Sequence, residues 1–395
     1  MKLFPEPAIE SLTTPATDPA IGPTRLGRTD RLLPVWILAA MGLGLALAEY
    51  TPGIGELLRS YSVGSVSVPI AIGLLVMMYP VLAKVRYTDA RAVAGDKRLL
   101  ISSLVMNWVV GPALMFALAW ILLPDLPEYR TGLIIVGLAR CIAMVLIWNE
   151  LACGDREAAA FLVALNSVFQ VIAFGALGWF YLQILPTWLG LSTTSADFSL
   201  WAITASVLVF LGIPLVAGYL SRRIGEVRKG RDWYENRFLP KIGPFALYGL
   251  LFTIVMLFAL QGRQVIDHPL DVARIALPLV IYFAVTFLVG FLLGKAVGLS
   301  YERTTTLAFT AAGNNFELAI AVAIGTFGAA SGQALAGIVG PLIEVPALLA
   351  LVYLALWLRP RLFAREAARI LSAVARTTVV PRTAVAPRNR ESTKK

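Results

Sequence analysis

Ten apolar stretches alternate with short polar connections along most of this chain. Each approaches the roughly 20 residues that an α-helix needs to cross the hydrocarbon core of a bilayer. Numbered one to ten, they run approximately over 32–50, 67–85, 99–123, 130–152, 158–182, 199–221, 244–261, 273–298, 304–328 and 334–358. Only 15% of the 395 residues are charged, against about 25% in soluble proteins. The pattern predicts an all-α polytopic membrane protein with ten transmembrane helices.

The basic residues concentrate on one side of the predicted membrane. The two tails and the connections after segments two, four, six and eight hold 29 of the 34 Lys and Arg residues. The connections on the opposite side hold four, and the last is Arg140, inside segment four. Because cytoplasmic loops are enriched in Lys and Arg, we expect a multi-pass protein of the plasma or inner membrane with both termini in the cytoplasm.

Three regions follow from this reading. Residues 1–31 are rich in Pro, Thr and Ala and lack the apolar core of a signal peptide, so we predict a disordered cytoplasmic tail. Residues 32–358 form the transmembrane domain, and 359–395 form a basic cytoplasmic tail. The excess of positive charge is assigned to the loops and tails, so no nucleic-acid partner is expected.

The ten segments divide into two halves. The longest polar connection, roughly 221–243, separates five segments from five, and an odd number per half inverts the second half in the membrane. GLARCIAMVLIWN (137–149) in segment four aligns with GNNFELAIAVAIG (313–325) in segment nine, which places Cys141 opposite Glu317. Pro69 and Pro244 likewise open segments two and seven. We therefore predict inverted five-helix repeats over 32–182 and 199–358.

Segment nine contains the costliest residue of the membrane region. A charge near the middle of a span costs about 2.5–3.5 kcal/mol on insertion scales, yet Glu317 follows a glycine and two asparagines there. We predict that the helix breaks at Gly313 and Asn314, and that Asn315 caps a new helix with Glu317 in its first turn. Such a break at membrane depth is typical of a binding site in a transporter. The alternative is a kink in which Glu317 pairs with a neighbouring helix.

Cys141 is the candidate soft ligand. It follows Arg140 near the start of the second half of segment four, and both a helix N-terminus and a neighbouring cation favour a thiolate. A thiolate selects soft partners, and Trp148 lies on the same helical face. The alternative is that Cys141 only fills space in the bundle, which is the role we assign to Cys153.

Further polar side chains lie at membrane depth. Asn166 and Gln170 form an i, i+4 pair in segment five, and such groups commonly hydrogen-bond between helices. Glu344 in segment ten is a second buried carboxylate and a candidate proton or cation site. Asn107 in segment three is a candidate for lining a cavity.

Several function classes have no support in the sequence. The chain has one histidine, so it cannot build a histidine metal cluster, and it has no Walker A motif. Paired catalytic carboxylates are also lacking. We therefore expect a protein that is not an enzyme and that needs no cofactor.

Five stretches in order resemble the Acr-three arsenite efflux permeases of the bile acid/arsenite/riboflavin transporter superfamily. They are PIAIGLLVMMYPVLAKVRY (69–87), NWVVGPALMF (107–116), ARCIAMVLIWN (139–149), GNNFELAIAVAI (313–324) and GPLIEVPALLALVY (340–353). The resemblance covers the chain from about residue 33 to 358. It implies ten helices in two inverted repeats. Segments one, two, six and seven would form a panel domain, and the rest a core domain in which discontinuous segments four and nine cross.

The resemblance also implies a function. It implies arsenical resistance through export of As(III), sometimes Sb(III), by exchange with protons. The family's acidic residue falls on Glu317, with Glu344 as the rival proton site. The family's substrate-site residues fall on Cys141, Arg140, Trp148, Asn107, Asn166 and Asn315. No metal beyond As(III) at Cys141 is implied.

Two other functions remain open at this stage. A sodium-coupled organic-anion symporter of the same superfamily would bind sodium through Asn, Gln and Glu side chains, and would not need the thiol of Cys141 or the cation of Arg140. A membrane receptor without transport is the second alternative, and the lack of a sizeable soluble signalling domain in this sequence counts against it.

Overall fold

The computed structural model describes residues 32–51, 53–63, 66–84, 95–142, 144–191, 200–267, 269–328 and 331–363. The predicted disordered tail over 1–31, and the predicted basic tail from residue 364 onward, lie outside these residues. The described chain is almost wholly helical. One small antiparallel hairpin, formed by β1 (Ser62–Val63) and β2 (Val66–Ser67), is the exception.

Thirteen helices follow one another along the described residues. The first half contains α1 (Leu33–Tyr50), α2 (Ile54–Ser60), α3 (Val68–Ala83), α4 (Lys97–Leu122), α5 (Pro127–Leu138), α6 (Met144–Leu151) and α7 (Arg156–Trp188). The second half contains α8 (Leu200–Lys229), α9 (Arg231–Asp267), α10 (Pro269–Ala296), α11 (Tyr301–Ala312), α12 (Phe316–Phe327) and α13 (Gly332–Leu362). Single π-helical turns interrupt α4, α7, α8 and α9 at Met106–Val110, Phe180–Ile184, Leu208–Gly212 and Tyr234–Phe238.

Length and composition identify the membrane-crossing helices. In the described residues, six are long and apolar enough to cross a bilayer: Lys97–Leu122, Arg156–Trp188, Ile203–Lys229, Arg231–Leu260, Pro269–Ala296 and Gly332–Leu362. Val35–Tyr50, Val68–Ala83 and Phe316–Phe327 are shorter apolar helices. A multi-pass helical membrane protein is therefore confirmed, while the count of ten crossings stays a prediction.

The structure corrects two details of the second half. The predicted polar connection 221–243 is helical, because α8 continues to Lys229, turns at Gly230 and resumes as α9 at Arg231. Hydropathy reports membrane depth and not helicity, and polar residues at a membrane surface extend a helix readily when they form i, i+4 ion pairs. Pro244 accordingly lies inside α9, whereas Pro69 stands in the first turn of α3 as predicted.

The helices pack as two groups. The first comprises α1, α3, α8 and α9, and the second comprises α4 to α7 with α10 to α13. Helix α8 also packs against α7 and α12, so it joins the two groups. Aromatic side chains fill the centre of the second group, where Phe287 packs against Phe291 and Phe309. This second group contains both helix breaks described below.

Candidate functional site

Two helix breaks meet in the second group. Helix α5 ends at Leu138 and α6 begins at Met144, while α11 ends at Ala312 and α12 begins at Phe316. The two breaks run antiparallel and bond to each other. The amide of Cys141 donates to the Gly313 carbonyl at 3.3 Å, and the amide of Asn315 donates to the Ala139 carbonyl at 3.0 Å. The breaks predicted in segments four and nine are present, and they form one site.

Side chains satisfy the remaining backbone groups of the breaks. The Gln170 side chain accepts from the Arg140 amide at 2.9 Å and donates to the Arg140 carbonyl at 3.0 Å. Asn314 Nδ2 donates to the carbonyls of Val136 and Ala139 at 2.8 and 3.2 Å. Because unpaired backbone groups are costly away from water, these bonds hold the unwound segments in one arrangement. Gln170 thus bonds between helices, as predicted for its i, i+4 pair.

Two predicted site residues, Cys141 and Asn315, lie at the N-termini of α6 and α12. Cys141 Sγ accepts from the Val145 amide at 3.3 Å, and Asn315 Oδ1 accepts from the Leu318 amide at 3.0 Å. The predicted Asn315 cap is confirmed. A helix N-terminus carries partial positive charge, so the sulfur lies where negative charge is stabilised. A Cβ at Gly313 would be 3.0 Å from the Cys141 Cβ, so a larger residue would crowd this close approach of the two breaks.

Arg140 binds the C-terminal ends of α5 and α11, the two helices that end at the breaks. Its guanidinium is fully buried and donates to the carbonyls of Gly137 and Ala311, in the last turns of α5 and α11. It also donates to the Tyr282 hydroxyl at 2.7 Å. A cation at a helix C-terminus satisfies unpaired carbonyls and opposes the helix dipole. Among the described residues Arg140 forms no ion pair, so its charge is held by neutral groups only.

Tyr282 in α10 is a site residue that sequence reasoning missed. Its side chain is fully buried and its hydroxyl lies against both Arg140 and Gly111. A Cβ at Gly111 would stand 2.7 Å from Arg140 Nη1 and 3.0 Å from the Tyr282 oxygen. A hydroxyl within an otherwise apolar stretch was the available signal, but tyrosine is too common at membrane interfaces for that signal to be specific.

Replacing Tyr282 by Phe should destabilise the protein. The change removes a buried hydrogen bond to a charged group, and such bonds contribute about 1.5–3 kcal/mol. We expect a lower melting temperature for purified Tyr282→Phe in detergent. Tyr181→Phe is the matched control, since it removes the hydroxyl of another buried tyrosine on α7. Equal melting of both variants with the wild type would show that Arg140 needs no partner on α10.

Two carboxylates lie beside the crossing. Glu317 stands in the first turn of α12, as predicted, and is half-buried. Glu344 on α13 is 2% exposed, and its Oε1 accepts from the Asn314 amide at 3.4 Å. Glu317 follows Asn314 by three residues, and Glu344 bonds the Asn314 amide, so both carboxylates belong to the second break. The kink alternative, with Glu317 in an ion pair, is not observed among the described residues.

The other predicted substrate residues lie on α4, α6 and α7. Asn107 lies in the π-helical turn of α4, a feature frequent at functional sites, and bonds Ser103 within its own helix. Asn166 accepts from the Trp108 indole at 3.2 Å. Trp148, on α6, is 1% exposed. Among the described residues, no side-chain hydrogen bond joins these three to the break.

Twelve buried side-chain polar atoms of the described residues have no protein partner. Six of them belong to the two breaks or to the predicted substrate residues: the donors Trp148 Nε1, Asn166 Nδ2, Asn315 Nδ2 and Arg140 Nε, and the acceptors Asn107 Oδ1 and Asn314 Oδ1. The other six belong to Trp120, Arg222, Thr253, Thr304, Thr305 and Thr326. Buried polar groups in native proteins are nearly always paired. The six atoms of the breaks and of the predicted substrate residues are therefore groups with which a small polar ligand can pair.

Comparison with known proteins shows to which protein family the chain belongs. The model of the Sodium Bile acid symporter family matches residues 71–268. The chain belongs to this family of membrane transporters. The predicted resemblance within the superfamily is thereby confirmed, as is the prediction that the chain is not an enzyme.

Three individual proteins are similar to this chain over most of their length. The chain is 61% identical over 353 residues to Arsenical-resistance protein Acr3 of Corynebacterium glutamicum, covering 89% of this chain and 95% of the relative. It is 33% identical over 337 residues to Arsenical-resistance protein Acr3 of Alkaliphilus metalliredigens, covering 83% and 92%. An uncharacterized transporter of Synechocystis, slr0944, is 36% identical over 342 residues, covering 82% and 87%.

Proposed function

We propose that this protein is a secondary active transporter that exports arsenite from the cytoplasm in exchange for protons and so confers arsenic resistance. Two of its relatives are arsenical-resistance proteins that match almost throughout their length. The observation that carries the proposal is the place of Cys141, a thiol at a half-helix N-terminus inside a crossing of broken helices. Antimonite, the oxyacid of the next heavier element of the same group, is the second substrate to test.

The chemistry of the crossing suits arsenous acid. As(III) is thiophilic, and Cys141 offers a soft ligand beside the partial positive charge of α6. Arsenous acid is neutral and has three hydroxyl groups, each able to donate and accept a hydrogen bond. The unpartnered groups of Trp148, Asn315, Asn107 and Asn166 supply both donors and acceptors. One sulfur with several hydrogen bonds binds weakly enough to allow release.

Arg140 provides a fixed positive charge in this arrangement. It lies where the negative ends of α5 and α11 converge. A fixed guanidinium there takes the place that a sodium ion would occupy in a symporter built on the same crossing, because both neutralise helix C-termini. This favours a proton as the coupling ion over sodium.

Glu317 is the proposed proton carrier, with Glu344 as its rival. Glu317 follows the Asn315 cap and is half-buried, so a change in the position of the crossing changes its access to water. Glu344 is more deeply buried and already accepts a backbone hydrogen bond. Proximity of the two carboxylates disfavours charging both together, which links the protonation of one to the state of the other.

The proposed architecture is ten crossings in two inverted five-helix repeats. The group of α1, α3, α8 and α9 corresponds to the panel domain, and the group containing both breaks corresponds to the core domain. The antiparallel pairing of the two breaks supports the repeat, because the bonded pair Ala139 and Asn315 occupies equivalent positions in the alignment of the two halves. Alternating access then requires movement of the core against the panel.

The proposed topology predicts where engineered cysteines react. Lys229→Cys, at the turn between α8 and α9, should react with an impermeant maleimide only after cells are opened, because the basic side is cytoplasmic. Leu189→Cys, which follows the end of α7 and is 57% exposed, should react in intact cells. Both belong in a Cys153→Ser background, whose buried Cys141 sets the unreactive baseline. The reverse labelling pattern would refute the topology.

Transport itself is tested in everted membrane vesicles. Arsenite should accumulate when a pH gradient, acidic inside the vesicle, is imposed, and accumulation should stop when an uncoupler collapses the gradient. A sodium gradient of the same size should not replace it. Accumulation that follows sodium and ignores pH would instead support the sodium-coupled symporter, and repeating the assay with antimonite decides the second substrate.

A further inference from the structure

A cavity lies at the turn between α8 and α9, and no residue of the helix crossing lines it. Its volume is about 610 Å³, within the range of about 300–1,000 Å³ for small-molecule sites. Arg228 and Lys229, in the last turn of α8, and Trp233 on α9 form its polar rim. None of the described residues that line this cavity is acidic.

The walls of this cavity are closely packed. Gly230 turns the chain with φ of 86°, a conformation suited to glycine, and so sets α9 against α8. The ring of Trp233 stacks on Phe238 at 5.6 Å and lies 4.4 Å from Lys229 Nζ. A Cβ at Gly225 would stand only 2.6 Å from the Tyr234 ring. The aromatic floor is therefore part of the helix packing and not a loose surface loop.

The charged side chains on the rim of the cavity are positive. The nearby carboxylates of Glu226 and Glu235 bond to Arg222 and Arg231. Arg228 and Lys229 are exposed on the cavity rim, where an anion would find both. Deeper in the cavity the hydroxyls of Tyr79 and Ser221 bond each other at 2.8 Å and offer further hydrogen-bonding capacity.

The outer wall continues into apolar surface. Leu220 and Ile224, which line the cavity, are 45% and 48% exposed, and Val227 beside them is 82% exposed. A ligand that matches this surface has an anionic head and an apolar tail. A soluble anion would bind the two cations and leave the apolar wall uncovered.

We propose that this groove, defined by Tyr79, Leu220, Ser221, Arg228, Lys229 and Trp233, binds an anionic phospholipid of the inner leaflet. The phosphate lies between Arg228 and Lys229, the glycerol region faces the hydroxyl pair, and one acyl chain runs along Leu220 and Ile224. Basic groups on the cytoplasmic side of transmembrane helices recognise anionic head groups in this way. The inference rests on the proposed topology but not on the proposed substrate.

Native mass spectrometry of the purified full-length protein tests the site. The probe is palmitoyl-oleoyl phosphatidylglycerol, compared with phosphatidylcholine of the same chains. Arg228→Gln/Lys229→Gln should weaken phosphatidylglycerol binding about 25-fold, since each basic residue near an anionic membrane surface contributes about fivefold. Arg223→Gln/Arg237→Gln removes the same charge from exposed positions outside the cavity and should bind like the wild type.

Three results would overturn the proposal. The first is equal weakening in both double variants, which reports net charge alone. The second is equal binding of phosphatidylcholine by the wild type. The third is displacement of phosphatidylglycerol by inorganic phosphate or glycerophosphate at similar concentrations, which would make the site one for soluble anions. Melting temperatures control for folding, and arsenite is absent throughout, so failure here leaves the proposed transport untouched.

Discussion

Cys141→Ser should lose most arsenite export while the protein still folds and reaches the membrane. Serine keeps the size of the side chain, and its oxygen can still accept the hydrogen bond that Cys141 Sγ receives from the Val145 amide. What disappears is the soft ligand, because a hydroxyl has little affinity for As(III). We expect at least about a tenfold loss of accumulation in everted vesicles, in the range seen when support for a metal ligand is removed.

Cys153→Ser is the matched control for this thiol. Cys153 lies in the turn beyond the far end of α6, with a left-handed φ of 57°. It is not part of the crossing, so its substitution should leave export nearly unchanged. Undiminished export by Cys141→Ser, at equal protein levels, would give the thiol a packing role only and place arsenite recognition on the neighbouring amide and indole groups.

Glu317→Gln should abolish export driven by a pH gradient. Glutamine preserves the shape of the side chain but can neither release nor take up a proton in this range. The residue sits in the first turn of α12, directly after the cap that ends the break. A carboxylate there is stabilised by the helix N-terminus and opposed by burial, and this balance allows the proton to be exchanged as the surroundings change. Everted vesicles with an imposed gradient provide the measurement.

Glu344→Gln separates the two carboxylates. A glutamine at this position retains an oxygen that can accept from the Asn314 amide, so the break should keep its geometry. If Glu317 is the proton carrier, Glu344→Gln should retain export that depends on the pH gradient. Retention of that dependence in Glu317→Gln together with its loss in Glu344→Gln would transfer the role to Glu344.

Local sequence was sufficient for much of the fold and for part of the site. Apolar length was sufficient to predict a multi-pass helical membrane protein, and six of the described helices are long and apolar enough to cross a bilayer. The break in segment nine and its cap followed from Gly313 to Asn315, since capping acts over three residues. The unusual residues Cys141 and Glu317 were identifiable for the same reason: charged or soft groups are costly or rare at membrane depth.

Tertiary structure alone decided how these pieces combine. Arg140 is bound by Tyr282 and Ala311, which lie 142 and 171 residues away, and its amide and carbonyl are bound by Gln170. No local pattern reports such pairings, because they depend on which helices become neighbours in the bundle. The helical continuation through 221–243 was not predicted because i, i+4 ion pairs and a single glycine turn, and not hydropathy, determine it. The order of residues along the chain thus specified which segments contain the polar groups. Packing specified that both breaks share one site, and that Arg140 lies in it without a carboxylate partner among the described residues.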